Sequence, residues 1–166
     1  MSMPEYAYVS TIGQDSHRFG EPCGECTIKL GGASIPSDRP VIANSDGDVI
    51  LHAITNAVSG FTGNIVLGAA ADVLCLEKGI TDSSVYLKKA LEDLNGAKII
   101  HCSVTVECLV PKLKPHLEAI RAGIGELLDL PLSSVGLTAT TGEGLTAFGR
   151  GEGIQVFAIL SFRKNV

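Results

Sequence analysis

The sequence predicts an α/β fold, a mixed β-sheet with helices packed on one face. Two observations predict it: β-branched and apolar runs of strand length lie near both ends and again past the middle, and stretches of helical periodicity lie between them. The resulting order of strands, two helices, strand, helix and strands reads as a layered α/β sandwich. Residues 6–12 and 26–30 are the first strands, both rich in β-branched or apolar side chains. Helical periodicity follows over residues 46–58, with Ser45 or Asp46 as its N-cap. A second helix is expected over residues 82–94, capped by Thr81 or Asp82 and stopped by Asn95-Gly96. Residues 98–108 form the next strand. The third helix, over residues 115–128, lines Leu117, Ile120, Ile124 and Leu127 on one face and takes Pro115 in its first turn. Residues 135–140 and 154–162 close the chain as strands, expected as a hairpin or neighbouring pair. No repeat, linker or low-complexity tract divides residues 1–166, so one domain is expected.

Composition narrows the function classes. Charged residues are 19% and apolar residues 45% of the chain, an ordinary globular mixture. No apolar run approaches the roughly 20 residues needed to cross a bilayer, so no membrane partner is expected. The first residues carry neither a basic n-region nor a long apolar stretch, which makes the cytoplasm the expected compartment. A net charge of −5 without a segment concentrating Lys or Arg argues against a nucleic-acid partner and leaves room for a small anionic ligand. The chain is long enough to fold without a disulfide. Cys75, Cys102 and Cys108 lie in apolar runs and are expected as buried thiols. Cys23 and Cys26 form a lone CxxC; it has no second pair for a four-thiolate zinc site and no following helix of the thioredoxin kind.

Several constellations could carry chemistry. Asp15-Ser16-His17 follows the first strand, and alternate residues of extended chain point the same way, so its carboxylate and imidazole can converge on one atom. A turn aspartate beside a surface histidine has the same local pattern. His52 stands in an otherwise apolar helix, where a hydrogen-bonded core histidine is the commoner occupant. One carboxylate and two imidazoles together are a set that leaves Zn²⁺ an open fourth position. Asp48 and Asn56, one turn before and after His52, lie near enough to orient its ring through the second nitrogen. Ser45-Asp46-Gly47-Asp48 places a helix start where phosphate is favoured. Residues Thr138 to Leu145 end a strand in hydroxyls, a glycine and a carboxylate, able to hold a diphosphate and a second divalent cation. Lys112 lies in a strand-to-helix loop, where binding groups and solvated lysines both occur. Gly149-Arg150-Gly151-Glu152-Gly153 precedes a strand rather than a helix, so a dinucleotide-loop reading fails. Walker A and G-x-S-x-G motifs are missing, which removes kinase and serine-hydrolase readings.

Six ordered segments carry a family resemblance: Ile12-Gly13-Gln14-Asp15-Ser16-His17-Arg18-Phe19, Leu30-Gly31-Gly32-Ala33-Ser34-Ile35-Pro36, Asn44 to Ala53, Pro111-Lys112-Leu113-Lys114-Pro115-His116, Thr138 to Leu145, and Gly149 to Ile154. They resemble the 2-C-methyl-D-erythritol 2,4-cyclodiphosphate synthases over almost the whole chain, with a diverged stretch at about residues 59–77. The resemblance implies a cyclising lyase of the non-mevalonate isoprenoid pathway, which turns 4-diphosphocytidyl-2-C-methyl-D-erythritol 2-phosphate into the cyclodiphosphate and CMP. It also implies a homotrimer with active sites between subunits. Asp15, His17 and His52 are implied as Zn²⁺ ligands, and Glu143 as ligand to a Mg²⁺ or Mn²⁺ between the two phosphates. Thr141, Asn44 and Glu143 are the implied catalytic residues. Substrate contacts are implied for Asp15, Ser16, His17, Asn44, Ser45, Asn64, Asp72 and Arg150. Around the cytidine diphosphate they extend to Cys108, Pro111, Lys112, Leu113, Lys114, Thr140, Thr141, Gly142 and Glu143. Arg150 and Glu152 correspond to positions near the trimer axis.

Departures from the family pattern fall at Asn44, where a histidine is usual, at Asn64 and Asp72 in the diverged stretch, and at Ala147, where an axial phenylalanine is usual. Asn44 can still donate amide hydrogens but cannot titrate. Two rival readings are a metal-dependent phosphohydrolase and a degenerate homologue that binds isoprenoid diphosphates without catalysis.

Overall fold

The computed structural model describes residues 5–166, apart from the side chains of residues 70, 72 and 74. Its strands are β1 (Tyr6–Arg18), β2 (Cys26–Leu30), β3 (Ala33–Ser37), β4 (Lys98–Glu107), β5 (Val135–Thr140) and β6 (Gly153–Asn165). Its helices are α1 (Val49–Thr62), α2 (Ala69–Lys78), α3 (Ser83–Leu91) and α4 (Leu117–Leu128). A four-stranded mixed sheet has the order β1-β6-β4-β5, and β2 and β3 form a separate two-stranded hairpin. β6 pairs antiparallel with β1 and β4, whereas β4 and β5 run parallel and are joined through α4, the crossover a parallel pair requires.

β6 therefore sits between β1 and β4, and the neighbouring pair expected of the last two strands does not form. Residues 142–152 carry the chain from β5, at one sheet edge, past β4 to β6. Two elements were not anticipated at all. β3 is only five residues long and contains Pro36, and α2 lies within the diverged stretch.

Alternation within the strands shows which face is buried. Ile154, Val156, Ala158, Leu160 and Phe162 of β6 are fully buried, while Phe157 and Ile159 between them are exposed. α1 covers the buried face of β1 and β6, where Phe61 stacks on Phe162 with ring centroids 4.1 Å apart. Thr11 Oγ1 donates to Ala57 O at 2.6 Å. Two residues along the same strand face, Gly13 packs so closely that a Cβ there would lie 2.0 Å from Ala53 O. Strand and helix meet backbone to backbone at this point, a contact that a bare glycine permits.

α1 begins later than the periodicity predicts, because Gly47 takes φ +71° and the Asp48 side chain accepts from Leu51 N as the N-cap. Asp48 also accepts from Gly31 N at 2.8 Å and Gly32 N at 2.7 Å, which ties the β2–β3 turn to the start of α1. Complete burial pushes the Asp48 carboxyl above its usual range, opposed by those backbone donors. Asp82 caps α3 as anticipated. Cys75, Cys102 and Cys108 are buried thiols, and burial pushes Cys102 up to about 12 and Cys108 up to about 11. Cys23 and Cys26 are joined in a disulfide that closes only the short turn before β2, a pairing their spacing did not disclose. Among the described residues no helix is long and apolar enough to cross a membrane.

Candidate functional site

β1 continues to Arg18 in full register with β6, so Asp15, Ser16 and His17 belong to the strand rather than to a loop after it. Thr11, Gly13, Asp15 and His17 share one strand parity. The first two touch α1 at Ala57 and Ala53, and the last two therefore arrive beside His52. This is how residues more than thirty positions apart converge: a strand and a helix, locked by the close contact at Gly13, each supply part of one set.

The convergence is tight. His17 Nε2 and His52 Nδ1 each lie 3.1 Å from Asp15 Oδ2 and 3.2 Å from each other. A triangle with such edges is a face of a tetrahedron whose centre lies roughly 1.9 Å from each corner, close to the about 2.0–2.1 Å of zinc–nitrogen bonds. Burial would raise the Asp15 carboxyl, but hydrogen bonds and charge from His17 and His52 overcome it and hold the group well below the usual carboxylate range. Asp15 is thus ionised, and one carboxylate with two imidazoles fits a borderline-soft divalent cation. Among the described residues this is the one group of His, Cys, Asp and Glu arranged to hold a metal ion.

The second nitrogen of His52 is not served by the neighbours expected for it. Asp48 is occupied at the helix cap, and Asn56 Nδ2 donates to Gln14 O at 3.0 Å. Instead, His52 Nε2 lies 2.9 Å from Ser83 Oγ and 3.3 Å from Ser45 Oγ. The Ser83 hydroxyl in turn donates to Asp46 Oδ1. Asp46, offered by its sequence position as a cap or phosphate neighbour, is drawn into this chain of hydrogen bonds.

The triad lines a cavity of about 600 Å³ together with Ile42, Ala43, Asn44, Ser45, Asn56, Leu67, Gly68, Ala71, Cys75 and Tyr86. Cys75 Sγ donates to Asn44 O at 2.8 Å and links α2 to the Asn44 segment. Asn44 and Ser45 line this cavity beside the triad. Asn64 is exposed in the segment after α1 and does not line this cavity. Asp72 lies in α2, but its side chain is outside the described residues. Ser16 lines a small adjoining cleft with Arg18, Ala147 and Phe148, which shares His17 with the triad cavity.

A second cavity of about 400 Å³ is lined by Cys108, Pro111, Lys112, Leu113, Lys114, Leu117, Ala139, Thr140 and Thr141. It is mostly apolar, with two lysines at its border, a composition suited to a ring system attached to an anion. Lys112 Nζ donates to Leu109 O at 3.1 Å. Gly142 and Glu143 lie just beyond on a 3-10 turn, where both take positive φ. Glu107 supports that turn: it accepts a hydrogen bond from Thr146 and fills the space a Gly142 side chain would need. Sequence reading did not flag Glu107, because its partners follow nearly forty residues later. Arg150 pairs with Glu152, Nε to Oε1 at 3.0 Å, and lines neither cavity. Within one chain, then, the candidate metal ligands and the second cavity are two separate sites.

Comparison with known proteins places these features in a family setting. The YgbB family profile matches residues 9–163. The 2-C-methyl-D-erythritol 2,4-cyclodiphosphate synthase of Chlamydia abortus is 47% identical over 159 residues, which are 95% of this chain and 90% of the relative. The solved structure of the bifunctional IspDF from Campylobacter jejuni superposes with TM-score 0.85 at 30% identity. That match covers 96% of this chain and 43% of the bifunctional one. A 2C-methyl-D-erythritol-2,4-cyclodiphosphate synthase solved in a CDP-bound form superposes with TM-score 0.74 at 32% identity, covering 93% of this chain and 99% of that one.

Proposed function

The chain belongs to the YgbB family, and from that membership and its site geometry we propose that it is a cyclising phosphorus–oxygen lyase. In this reading it converts 4-diphosphocytidyl-2-C-methyl-D-erythritol 2-phosphate to 2-C-methyl-D-erythritol 2,4-cyclodiphosphate and CMP in isoprenoid synthesis. The observation that carries the proposal is the convergence of Asp15 Oδ2, His17 Nε2 and His52 Nδ1 at 3.1–3.2 Å beside a cavity that opens on Asn44 and Ser45.

In the reaction an oxygen of the 2-phosphate bonds to the β-phosphorus while the bond from that phosphorus to the bridging oxygen breaks. CMP departs with the electron pair. The nucleophile is already anionic, so no activated serine or cysteine is needed, and the protein's task is alignment and charge neutralisation. Zn²⁺ held by Asp15, His17 and His52, with Mg²⁺ or Mn²⁺ at Glu143, would supply Lewis-acid polarisation of the phosphates. Asn44 and Ser45 donate to phosphate oxygens at the mouth of the first cavity. The Asn44 amide holds a phosphate without changing its own charge. Thr141 donates its hydroxyl to charge building on the phosphates. Cys108, Pro111, Leu113 and Thr140 enclose the cytosine, and Lys112 and Lys114 face the attached phosphates.

The separation of the two cavities within one chain supports assembly: each active site takes the metal ligands of one subunit and the nucleotide pocket of the next. The outer sheet face supports it as well. Tyr8, Ile12, Phe157 and Ile159 are exposed there, and Ile12 and Ile159 stand opposite each other in register. Such an apolar strip supports contact between copies. In this reading residues 1–166 act as one domain of a cytoplasmic homotrimer. Incubating the metal-loaded protein with the cytidylyl substrate should yield equal amounts of cyclodiphosphate and CMP by mass detection. Inorganic phosphate, or CMP without a cyclic product, would indicate a phosphohydrolase, and no turnover would indicate a binder.

A further inference from the structure

We propose that Ser83 and Asp46 are positioning residues that fix the ring of His52 with Nδ1 turned toward the metal. The proposal rests on the reading of Asp15, His17 and His52 as ligands.

Ser83 is the first residue of α3, completely buried, and 31 positions from His52 in sequence. Its hydroxyl has one hydrogen, and that hydrogen goes to Asp46 Oδ1. The Ser83 oxygen can then only accept along the 2.9 Å line to His52 Nε2, so Nε2 carries the imidazole hydrogen. The neutral ring has one hydrogen, and its placement on Nε2 leaves a lone pair on Nδ1. When a metal binds, that lone pair takes the place of the hydrogen bond Nδ1 makes to Asp15 Oδ2 at 3.1 Å, with His17 Nε2 3.2 Å away. A carboxylate, a hydroxyl and an imidazole in sequence are an outer shell of the kind that sets the tautomer and orientation of metal-bound histidines.

The carboxylate end is itself held. Asp46 Oδ2 accepts from Ser83 N at 3.3 Å, Asp46 Oδ1 accepts from Asp48 N at 3.2 Å, and Asp46 N donates to Thr81 O at 2.8 Å. Asp46 therefore joins the loop before α1 to the start of α3, and the pair ties α3, whose Tyr86 lines the same cavity, to the ring of His52. Ser45 Oγ also approaches His52 Nε2, but at 3.3 Å, and it accepts from Gly47 N, so it is the weaker partner. Asp82, not Ser83, caps α3, so loss of the Ser83 hydroxyl leaves the helix start intact.

The test measures metal affinity by competition with a chromophoric chelator, using Zn²⁺ and Co²⁺, on wild type, Ser83→Ala, Ser83→Thr and Asp46→Asn. Circular dichroism of each metal-free protein verifies folding. Ser83→Ala should lose about 10–100-fold in affinity and show an altered Co²⁺ visible spectrum. Ser83→Thr, which keeps the hydroxyl, should stay near wild type, and Asp46→Asn, which keeps shape but weakens the acceptor, should fall between. Folded Ser83→Ala with wild-type affinity and spectrum would overturn the positioning role. Equal losses in folded Ser83→Ala and Ser83→Thr would also overturn it, since packing rather than the hydroxyl would then matter. Should Ser83→Ala not fold, wild-type affinity and spectrum in Asp46→Asn decide against it. Absence of metal binding by wild type would instead remove the ligand set on which the proposal stands.

Discussion

Gly13→Ala tests whether the contact between β1 and α1 sets the metal site. The new methyl would lie 2.0 Å from Ala53 O and 2.4 Å from Ala57 N, both backbone atoms that cannot rotate away. Relief requires α1 to move off β1 by roughly 1 Å, with an overpacking cost of about 1–3 kcal/mol. At roughly 2–4 °C per kcal/mol for a chain of this size, Tm should drop by about 2–12 °C. The same movement separates His52 on α1 from Asp15 and His17 on β1. Edges now 3.1 Å long would open to roughly 4 Å, beyond the about 0.2 Å tolerance of a well-formed site, and zinc affinity should fall at least about tenfold. Thermal unfolding of the metal-free proteins and zinc competition on the folded ones measure the two effects. Unchanged Tm together with unchanged affinity would refute the close strand–helix contact as the device that builds the site.

Three further predictions concern buried groups outside the triad. Asp48→Ala removes the acceptor of Leu51 N and of two turn amides, so it should cost about 2–4 kcal/mol in urea unfolding, the sum of a lost cap and unpaired donors; a loss below about 0.5 kcal/mol would contradict that role. Because burial raises the Asp48 pKa above its unfolded value, its stabilising contribution is full below the ordinary carboxylate range and is lost as pH rises through the raised value. The urea midpoint of wild type relative to Asp48→Asn should therefore improve as pH falls through that window, and a constant difference would sink the assignment. Cys108 and Cys102, pushed up to about 11 and about 12, should resist iodoacetamide at about pH 8, where no more than roughly one thiol in a thousand is ionised, and should label once urea unfolds the chain. Rapid labelling of the native protein would contradict their burial.

What the sequence disclosed about the site follows from the range of each interaction. The helical face of α4 was legible because Ile120 and Ile124 recur within one turn and are both fully buried, with Leu117 and Leu127 packed beside them. Asp15 and His17 were legible as a convergent pair from strand parity alone. The placement of β6 between β1 and β4 was not, since strand order is decided by long-range packing that leaves no local pattern. The cap of α1 was misread by two or three residues because Ser45, Asp46 and Asp48 are all capping types, and Gly47's positive φ selects among them. Ser83 gave no signal of its own: a serine opening a helix is ordinary, and its meaning comes from His52 and Asp46, which lie far from it in the chain.

The central claim is that metal ligands and nucleotide pocket meet across two subunits, and mixing inactive chains tests it most directly. His52→Ala removes a ligand from one half-site, and Thr141→Ala removes a hydroxyl from the other. Each variant alone should form little cyclodiphosphate. Refolded together, mixed trimers contain some sites with both residues intact, and partial activity should return. Mixed trimers verified by mass that form no cyclodiphosphate above either parent would contradict the account.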